Sequence, residues 1–291
     1  MKQYVFPAPA KINHFLHIVG QRPDGYHYLQ TLFQFLAYSD TLRFQYCPHN
    51  EISVSMSTLA QPIALESNLI YQAAKLLWPW RQQATGIAIK VDKRLPIGAG
   101  LGGGSSNAAT TLVALNLLWQ CHRTLAQLLA DALKLGADVP VFVLGHAAWG
   151  EGIGEQLTPA HPAEQVVLVI TPPCTVSTQQ VFSQRGLTSA TASVKIDGLN
   201  CEAVLNNTSK QFVNDLAPWV SDTYPVVKEA LNWLNQYACA KLSGSGSSLF
   251  ATFKDKSQAQ AVLQKLPSHL NGFITNSCNV SPLKAAVALY S

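Results

Sequence analysis

Charged residues are scarce in this sequence. Asp, Glu, Lys and Arg make up 12% of its 291 residues, which is about half the share found in ordinary soluble domains. Hydrophobic residues make up 48% and aromatic residues 9%, so the composition excludes an intrinsically disordered chain. Lys and Arg outnumber Asp and Glu by 20 to 16, and the one adjacent basic pair is Lys93-Arg94. This weak positive charge favours a small anionic ligand, and the dense basic runs of a nucleic-acid-binding protein are missing.

Closely spaced cysteines and long apolar runs are also missing. The six cysteines are Cys47, Cys121, Cys174, Cys201, Cys239 and Cys278. They form no C-x-x-C pair and no histidines cluster at zinc-ligand spacing, which excludes a disulfide scaffold and a zinc module. The first residues have the features of neither a signal peptide nor a transit peptide, and no run reaches about 18 apolar residues. We therefore expect a protein of the reducing cytoplasm without a membrane partner.

The pattern of apolar residues predicts an α+β protein. The first 60 residues have short apolar stretches around the turn signal Arg22-Pro23-Asp24-Gly25, which predicts short strands and turns. Farther on, helices are expected over residues 68–78, 107–119, 125–135, 205–213, 225–237 and 258–266, and strands over 86–95, 165–170 and 249–253. Thr124 and Gln127 fit a capping box at the start of the third helix, and Gly136 is placed to end it.

The chain length suggests one large domain or two modest ones, at about 100 to 200 residues per domain. The composition becomes rich in Pro and Ala near residues 159–162, so we predict a boundary there. The two predicted domains cover residues 1–160 and 161–291. The second is expected to be an antiparallel sheet with helices on one face.

Five glycines lie within residues 96–106, between a predicted strand and a predicted helix: Gly98, Gly100, Gly102, Gly103 and Gly104. Glycines at this place leave several backbone N–H groups open, and the helix dipole adds partial positive charge. The segment therefore predicts a phosphate site, with Ser105 or Ser106 available as the N-cap of the helix. The alternative is a linker or a tight connection without a ligand.

The spacing excludes the commonest phosphate-binding loops. A Walker A loop would need lysine where Gly104 stands. A dinucleotide fingerprint needs an acidic residue about 20 positions on, and residues 93–130 contain no Asp or Glu. A protein-kinase loop would require V-A-I-K and H-R-D segments, and both are missing. From the residues alone, the prediction is a phosphate-binding enzyme of mixed α and β structure.

Three segments, in order, resemble the superfamily of galactokinase, homoserine kinase, mevalonate kinase and phosphomevalonate kinase (the GHMP kinases). They are Pro9-Ala-Lys-Ile-Asn13, the glycine-rich loop from Pro96 to Ser106 followed by Asn-Ala-Ala, and Lys241-Leu-Ser-Gly-Ser-Gly-Ser-Ser248. Two more segments, Arg22-Pro-Asp-Gly-Tyr-His27 and Leu135-Gly-Ala-Asp-Val-Pro140, resemble the branch whose acceptor alcohol carries cytidine diphosphate. The resemblance covers nearly the whole chain.

The resemblance implies a two-domain kinase with its active site in the cleft. Residues 1–160 would bind ATP through the glycine-rich loop, and residues 161–291 would lie on the substrate side. The expected reaction is ATP-dependent phosphorylation of the 2-hydroxyl of a diphosphocytidyl methyl-tetritol, in non-mevalonate isoprenoid synthesis. Another small-molecule kinase of the superfamily and a non-catalytic nucleotide-binding regulator remain alternatives. The oligomeric state is left open.

The resemblance also assigns catalytic roles to Lys11 and Asp138. The aspartate would accept the proton of the acceptor hydroxyl, and the lysine would orient it and offset charge near the phosphoryl group. Such a pair suits phosphoryl transfer, in which the protein mainly supplies positioning and electrostatics. From the residues alone, Lys11 could instead be a charge at a strand edge. Asp138 could instead cap the next helical turn.

The remaining site residues also come from the resemblance. ATP would contact Asn68, Leu69, Pro96, Ile97, Gly98, Ala99, Gly100, Leu101, Gly102, Gly103, Gly104, Ser105 and Ser106, with Mg²⁺ accompanying it and no dedicated metal ligand recognisable. The acceptor would contact Asn13, Tyr26, His27, Thr178 and Phe182, where two aromatic rings would stack on the cytosine and His27 would hydrogen-bond it.

Each of these roles has a structural alternative. Asn68 could serve only as a helix start, and Asn13 could be a polar neighbour of Lys11 on an exposed strand face. Tyr26 and His27 could be residues that flank a turn. Gln179 departs from the resemblance, since a proline is expected there, which puts the shape of the cytidine pocket in doubt. His14 and His17 would point to opposite faces of a strand, so we do not expect a metal pair.

Overall fold

The computed structural model of the protein describes residues 2–56, 64–184, 204 and 212–291. The described strands are β1 (Gln3–Gln21), β2 (His27–Cys47), β3 (Ile52–Met56), β4 (Gly86–Asp92), β5 (Ala148–Glu151), β6 (Gln156–Pro159), β7 (Val166–Thr171), β8 (Lys241–Leu242), β9 (Leu249–Phe253) and β10 (Asn271–Cys278). The described helices are α1 (Leu69–Leu77), α2 (Gly103–Leu118), α3 (Leu125–Leu135), α4 (Val139–Leu144), α5 (Thr178–Phe182), α6 (Ala217–Thr223), α7 (Pro225–Asn235), α8 (Lys256–Leu263) and α9 (Pro282–Ala288).

The strands join in one mixed sheet with the order β3-β4-β2-β10-β7-β9-β8, and β1 and β5 also pair with β2. Most of the pairs are antiparallel, while β3 and β4 are parallel. The apolar faces of α1 and α2 pack on the first strands in one core, and α7 and α8 pack on β7 and β9 in another. The predicted α+β class is confirmed.

The expectation of short strands near the N-terminus is wrong. β1 and β2 run for 19 and 21 residues and form one long antiparallel hairpin. Register shifts after Pro9, Asn13 and Ile18 absorb the breaks in the apolar alternation, because a β-bulge adds a residue without ending the ladder. The predicted turn is confirmed, since the N–H of Gly25 donates to the carbonyl of Arg22 at 3.0 Å.

Local signals located several other elements. The predicted helix over residues 125–135 is confirmed, with both capping-box hydrogen bonds of Thr124 and Gln127 and with Gly136 as its C-cap. The predicted strand over 249–253 is confirmed as β9. The predicted helices 68–78, 225–237 and 258–266 and the predicted strands 86–95 and 165–170 agree with observed elements to within about three residues at each end.

The predicted start of the helix after the glycine-rich loop is wrong. α2 begins at Gly103, with Gly102 as its N-cap in the left-handed conformation, and no side chain supplies a capping hydrogen bond. Ser105 and Ser106 therefore lie inside the first turn, where the N–H of Ser106 donates to the carbonyl of Gly102 at 2.8 Å. The left-handed glycines complete the turn earlier than a serine cap would, which places glycine N–H groups at the helix start.

The helix predicted over residues 205–213 lies mostly outside the described residues. Its last two positions, Phe212 and Val213, are described and are not helical. The carbonyl of Val213 accepts a hydrogen bond from the N–H of Leu16 at 3.0 Å. The predicted end of that helix is therefore wrong, because this backbone pairs with β1 instead.

The sheet crosses the predicted domain boundary near residue 160. β10 pairs with β2 through Cys278 and Phe35 and pairs with β7 along most of its length. The C-terminal helix α9 also returns to the first half of the chain, where Leu283 belongs to the core formed around α2. The division into residues 1–160 and 161–291 stays a prediction.

The five cysteines within the described ranges are free thiols, while Cys201 lies outside those ranges. None of the helices described is long and apolar enough to cross a membrane.

Candidate active site

The glycine-rich loop turns sharply between β4 and α2. Gly98, Gly100 and Gly102 have φ values of +64°, +76° and +72°, which side chains other than glycine rarely adopt. A Cβ at Gly100 would lie only 2.1 Å from the carbonyl oxygen of Ser243. Glycine is therefore needed at this position both for its backbone conformation and for the close approach of another segment.

That segment is the third motif, Lys241 to Ser248. The hydroxyl of Ser243 donates to the carbonyl of Gly100 at 3.0 Å. The N–H of Ser248 donates to the carbonyl of Ala99 at 3.0 Å. Two of the segments that carry the family resemblance are thus joined by hydrogen bonds, although they are far apart in sequence.

A cavity of about 480 Å³ lies against this loop, and it is named the main cavity because both predicted catalytic residues line it. Many predicted site residues line it: Lys11, Asn13, Leu69, Pro96, Ile97, Gly98, Ala99, Gly100, Gly102, Gly103, Gly104, Ser105, Asp138, Thr178 and Phe182. Leu101 and Ser106 are buried behind the wall, at 1% and 0% exposure. The loop backbone and the two predicted catalytic side chains thus face one space.

Lys11 and Asp138 form an ion pair in this cavity. The Nζ of Lys11 lies 3.1 Å from Oδ2 of Asp138, and the lysine side chain is 3% exposed whereas the aspartate side chain is 38% exposed. Burial excludes the alternative that Lys11 is a solvent-exposed charge at a strand edge. Asp138 does precede α4, but its side chain makes no capping hydrogen bond. The carboxylate instead points to the lysine and stays open to the cavity.

Asn13 holds Lys11 from the other side. Its Oδ1 accepts a hydrogen bond from Lys11 Nζ at 2.7 Å, which confirms that the two side chains share a strand face. Asn13 is 2% exposed, so the alternative of a polar residue on an exposed face is wrong. Its Nδ2 donates to the hydroxyl of Thr31 at 2.9 Å, and that hydroxyl donates to the carbonyl of Phe15. This chain of hydrogen bonds fixes the orientation of the amide, so Oδ1 is kept toward the ammonium.

A side cavity of about 530 Å³ adjoins the main one and shares Thr178 and Phe182 with it. Tyr26, His27 and Gln179 also line it. The rings of His27 and Phe182 are 5.8 Å apart at an angle of 38°, and Tyr26 is 61% exposed at the rim. The structure brings together the residues that the resemblance assigns to the cytosine.

The protonation state of His27 and a contact between two hydroxyls define the chemistry of this side cavity. Burial lowers the pKa of His27, so its ring is neutral near pH 7 and carries one donor nitrogen and one acceptor nitrogen. The hydroxyls of Thr178 and Ser245 are 2.8 Å apart, which ties α5 to the third motif. Gln179 lies in the first turn of α5 and borders the cavity, at the position where the resemblance led us to expect proline.

Of the two residues predicted to contact adenine, one lines the main cavity and the other caps a helix. Leu69 lines the main cavity, together with Met56, which the sequence did not suggest. Asn68 is the N-cap of α1, and its Oδ1 accepts from the N–H of Ile70 at 2.9 Å. This helix-start role is the alternative weighed for Asn68, and its adenine contact stays a prediction.

Lys93 and Asn107 also line the main cavity and were not among the predicted site residues. The adjacent basic pair before the glycine-rich loop was the available signal for Lys93. Asn107 is 2% exposed, and within the part of the chain that is described its Oδ1 has no hydrogen-bond partner. A buried acceptor of this kind is costly unless a ligand or water satisfies it.

The two histidines of β1 contact different side chains. The Nε2 of His14 lies 2.7 Å from Oε1 of Gln34, while the ring of His17 stacks on that of Phe212. Among residues 2–56, 64–184, 204 and 212–291, no group of three His, Cys, Asp or Glu could hold a metal ion.

Comparison with known proteins bears on this geometry. Residues 68–146 match the profile of the GHMP kinases N terminal domain, and residues 204–272 match that of the GHMP kinases C terminal domain. The 4-diphosphocytidyl-2-C-methyl-D-erythritol kinase of Marinobacter nauticus is 44% identical to this chain over 284 residues, which are 97% of each protein. That of Shewanella putrefaciens is 47% identical over 278 residues, covering 96% of this chain and 95% of the relative.

Solved structures agree. A crystal structure of 4-(cytidine 5'-diphospho)-2C-methyl-D-erythritol kinase superposes with a TM-score of 0.79 at 30% identity, covering 94% of this chain and 98% of that one. A homoserine kinase from Cytophaga hutchinsonii superposes with a TM-score of 0.69 at 18% identity, covering 97% and 96%, and thus shares the fold. The chain therefore belongs to the 4-diphosphocytidyl-2-C-methyl-D-erythritol kinase family within the GHMP kinases.

Proposed function

We propose that this chain transfers the γ-phosphoryl group of ATP to the 2-hydroxyl of 4-diphosphocytidyl-2-C-methyl-D-erythritol, a step of non-mevalonate isoprenoid synthesis. The observation that carries the proposal is the Lys11–Asp138 pair, which lies in a cavity bounded by the glycine-rich loop on one side and open to the aromatic side cavity on the other. This arrangement supports a phosphate donor and a base-bearing acceptor meeting at one ion pair.

Asp138 is the proposed general base. Its carboxylate is partly exposed to the cavity and makes no capping hydrogen bond to α4, so an acceptor hydroxyl can reach it. A positioned base of this kind contributes about 10²-fold to 10⁴-fold to the rate. The proton of the attacking hydroxyl passes to a carboxylate oxygen as the new oxygen–phosphorus bond forms, and the bond between the γ-phosphorus and the bridging oxygen breaks, so that ADP leaves.

Lys11 is the proposed positioning and charge-compensating group. Three oxygen atoms, from Asp138, Asn13 and the carbonyl of Gly100, surround its Nζ at 2.7 to 3.3 Å. An ammonium held in this way does not need to reorganise during the reaction, which is how fixed charges stabilise phosphoryl transfer. It orients the carboxylate and offsets negative charge on the transferring group.

The glycine-rich loop is the proposed ATP site, with the triphosphate against the first turn of α2. Magnesium is expected to accompany the nucleotide, and the residues fit an oxygen-preferring ion. Asn107 would hold it, since this residue lines the cavity and its buried Oδ1 has no protein partner among the described residues. When bound, magnesium would supply charge compensation on the phosphates.

The side cavity is the proposed cytosine site. Tyr26 and Phe182 would stack on the ring, and neutral His27 would use one ring nitrogen as donor or acceptor toward the edge of the base. Thr178 and Phe182 line both cavities, which supports a cytosine site next to the proposed catalytic pair. The diphosphate and polyol would extend from there into the main cavity.

The proposal includes a cytoplasmic location. The five described cysteines are free thiols, as is usual in a reducing compartment. Fractionation of the cell in which the chain is made would test this.

A coupled assay of ADP release tests the function. We expect ADP release with 4-diphosphocytidyl-2-C-methyl-D-erythritol and no release with homoserine or mevalonate. Release with one of those two control acceptors would instead identify another kinase of the superfamily. Calorimetric binding of ATP without ADP release on any acceptor would indicate a nucleotide-binding regulator.

A further inference from the structure

Asp40 is a fully buried carboxylate that contacts the segment leading into the glycine-rich loop. It lies in β2, and its side chain has no solvent exposure. Its Oδ1 accepts hydrogen bonds from the backbone N–H groups of Arg94 and Leu95, at 2.7 and 2.8 Å. Its Oδ2 accepts from Nζ of Lys93 at 2.5 Å. One carboxylate therefore holds the three residues that connect β4 to Pro96.

Lys93 lies between this carboxylate and the proposed nucleotide site. Its side chain is 8% exposed and lines the main cavity. A Cβ built on Gly103, the first residue of α2, would lie 3.2 Å from Nζ of Lys93. The ammonium is thus held against the helix start, where open N–H groups and the helix dipole already favour an anion.

We propose that Asp40 is a positioning residue for the nucleotide triphosphate, acting through Lys93 and through the backbone of Arg94 and Leu95. Asp40 does not line the cavity itself, so it contacts no ligand. The inference rests on the proposed function to the extent that a nucleotide binds at the glycine-rich loop.

Charge and burial explain why the carboxylate is needed. A buried lysine loses hydration, and a partner that can only accept hydrogen bonds fixes its ammonium in one place. In Asp40→Asn, the amide oxygen can still accept from Arg94 and Leu95, but the amide nitrogen facing Lys93 is a donor. The ammonium then loses its anchor while the shape of the site is kept.

The test measures ADP binding by calorimetry and the KM for each substrate. We expect Asp40→Asn to weaken ADP binding and to raise the KM for ATP by at least about 10-fold. The KM for the diphosphocytidyl acceptor should stay within about 2-fold. A merely structural role would raise both KM values together, and that result would overturn the proposal, as would unchanged ADP binding in the folded variant.

Asp92→Asn is the matched control. Asp92 lies at the end of β4 and pairs with Arg43 of β2 at 2.9 Å, but both side chains are about one-third exposed. The same substitution there removes a neighbouring ion pair between β2 and β4. It should leave ADP binding and both KM values unchanged.

Lys93→Gln keeps the test decisive if Asp40→Asn does not fold. In this variant Asp40 retains its two backbone hydrogen bonds, and the glutamine amide can donate to Oδ2. We expect the same selective loss of ADP binding, and the double variant should bind ADP no more weakly than Lys93→Gln alone. Unchanged binding in folded Lys93→Gln would overturn the proposal. Because ADP binding is measured directly, a chain that binds ADP without transferring phosphate would refute the proposed function and not this inference.

Discussion

The Nζ of Lys11 lies 3.1 Å from Oδ2 of Asp138, and the two partners differ sharply in exposure. The lysine side chain is enclosed by its β1 neighbour Asn13 and by the glycine-rich loop. More than a third of the aspartate side chain stays open to the cavity. The buried partner is suited to hold a fixed charge, and the open partner is suited to meet a substrate.

Replacing Lys11 by methionine keeps an unbranched side chain, one atom shorter, and removes its charge. We expect kcat to fall by roughly 10²-fold or more while the Kd of the acceptor changes by less than about 5-fold, because the charge is needed mainly at the transferring phosphoryl group. Steady-state kinetics and calorimetry measure the two effects. Lys90→Met, on the exposed side of β4, is the control. A loss of thermal stability with normal kcat would show that Lys11 is only structural.

Gly100→Ala should disrupt the nucleotide site. The new Cβ would meet the carbonyl of Ser243 at 2.1 Å, at a φ of +76°, so the loop and the third motif must separate. We expect ATP to bind at least about 10-fold more weakly by calorimetry. Gly154→Ala imposes a similar left-handed strain, but its Cβ has only ordinary contacts at 3.8 Å or more. Equal ATP binding in both variants would contradict the role given to this contact.

The cytosine site is tested by Tyr26→Ala and Phe182→Ala. Stacking of one base on an aromatic ring contributes about 1 to 3 kcal/mol, so each variant should raise the Kd of the acceptor by roughly 5-fold to 150-fold. ATP affinity should stay unchanged, and the double variant should be non-additive if both rings contact one base. Tyr28→Ala is the control, since Tyr28 is exposed and lies outside the side cavity. Wild-type affinity in both variants would place the base elsewhere.

His14 predicts a pH dependence of stability. Burial lowers its pKa to about 4 from an ordinary value of 6.5, so the unfolded chain binds a proton in this interval that the folded chain does not bind. The stabilisation is complete above pH 6.5 and is lost as the pH falls toward 4. As the pH is lowered from 6.5 to 4, the free energy of unfolding should therefore fall less steeply in His14→Gln than in wild type. The two slopes should differ by up to about 1.4 kcal/mol per pH unit.

Urea unfolding between pH 4 and 7 measures this slope. His49→Gln, at an exposed histidine after β2, controls for the loss of one histidine. Identical slopes in His14→Gln and wild type would show that His14 titrates normally.

Sequence patterns identified the elements that depend on neighbouring residues. Thr124 and Gln127 cap α3 within one turn, and β9 is a short, mostly apolar run of consecutive residues, so both could be located. The start of α2 could not, because the left-handed conformation at Gly102 and the packing of the loop on Ser243 depend on distant contacts.

The same reasoning applies to the site. The glycine density indicated a phosphate loop, but the pairing of Lys11 with Asp138 was suggested only by resemblance, since nothing local connects them. Asp40 carried no signal at all, because its role depends on a hydrogen-bonded contact with residues 93–95 that only the folded sheet creates.

The most direct test of the account is single-turnover transfer from γ-labelled ATP in wild type and Asp138→Asn, with both substrates saturating. The asparagine keeps the shape of the side chain and cannot accept the hydroxyl proton. We expect the label on the 2-hydroxyl oxygen of the diphosphocytidyl acceptor with wild type, and a rate lower by roughly 10² to 10⁴ in the variant. A wild-type rate in folded, ATP-binding Asp138→Asn, or label on another hydroxyl, would contradict the account.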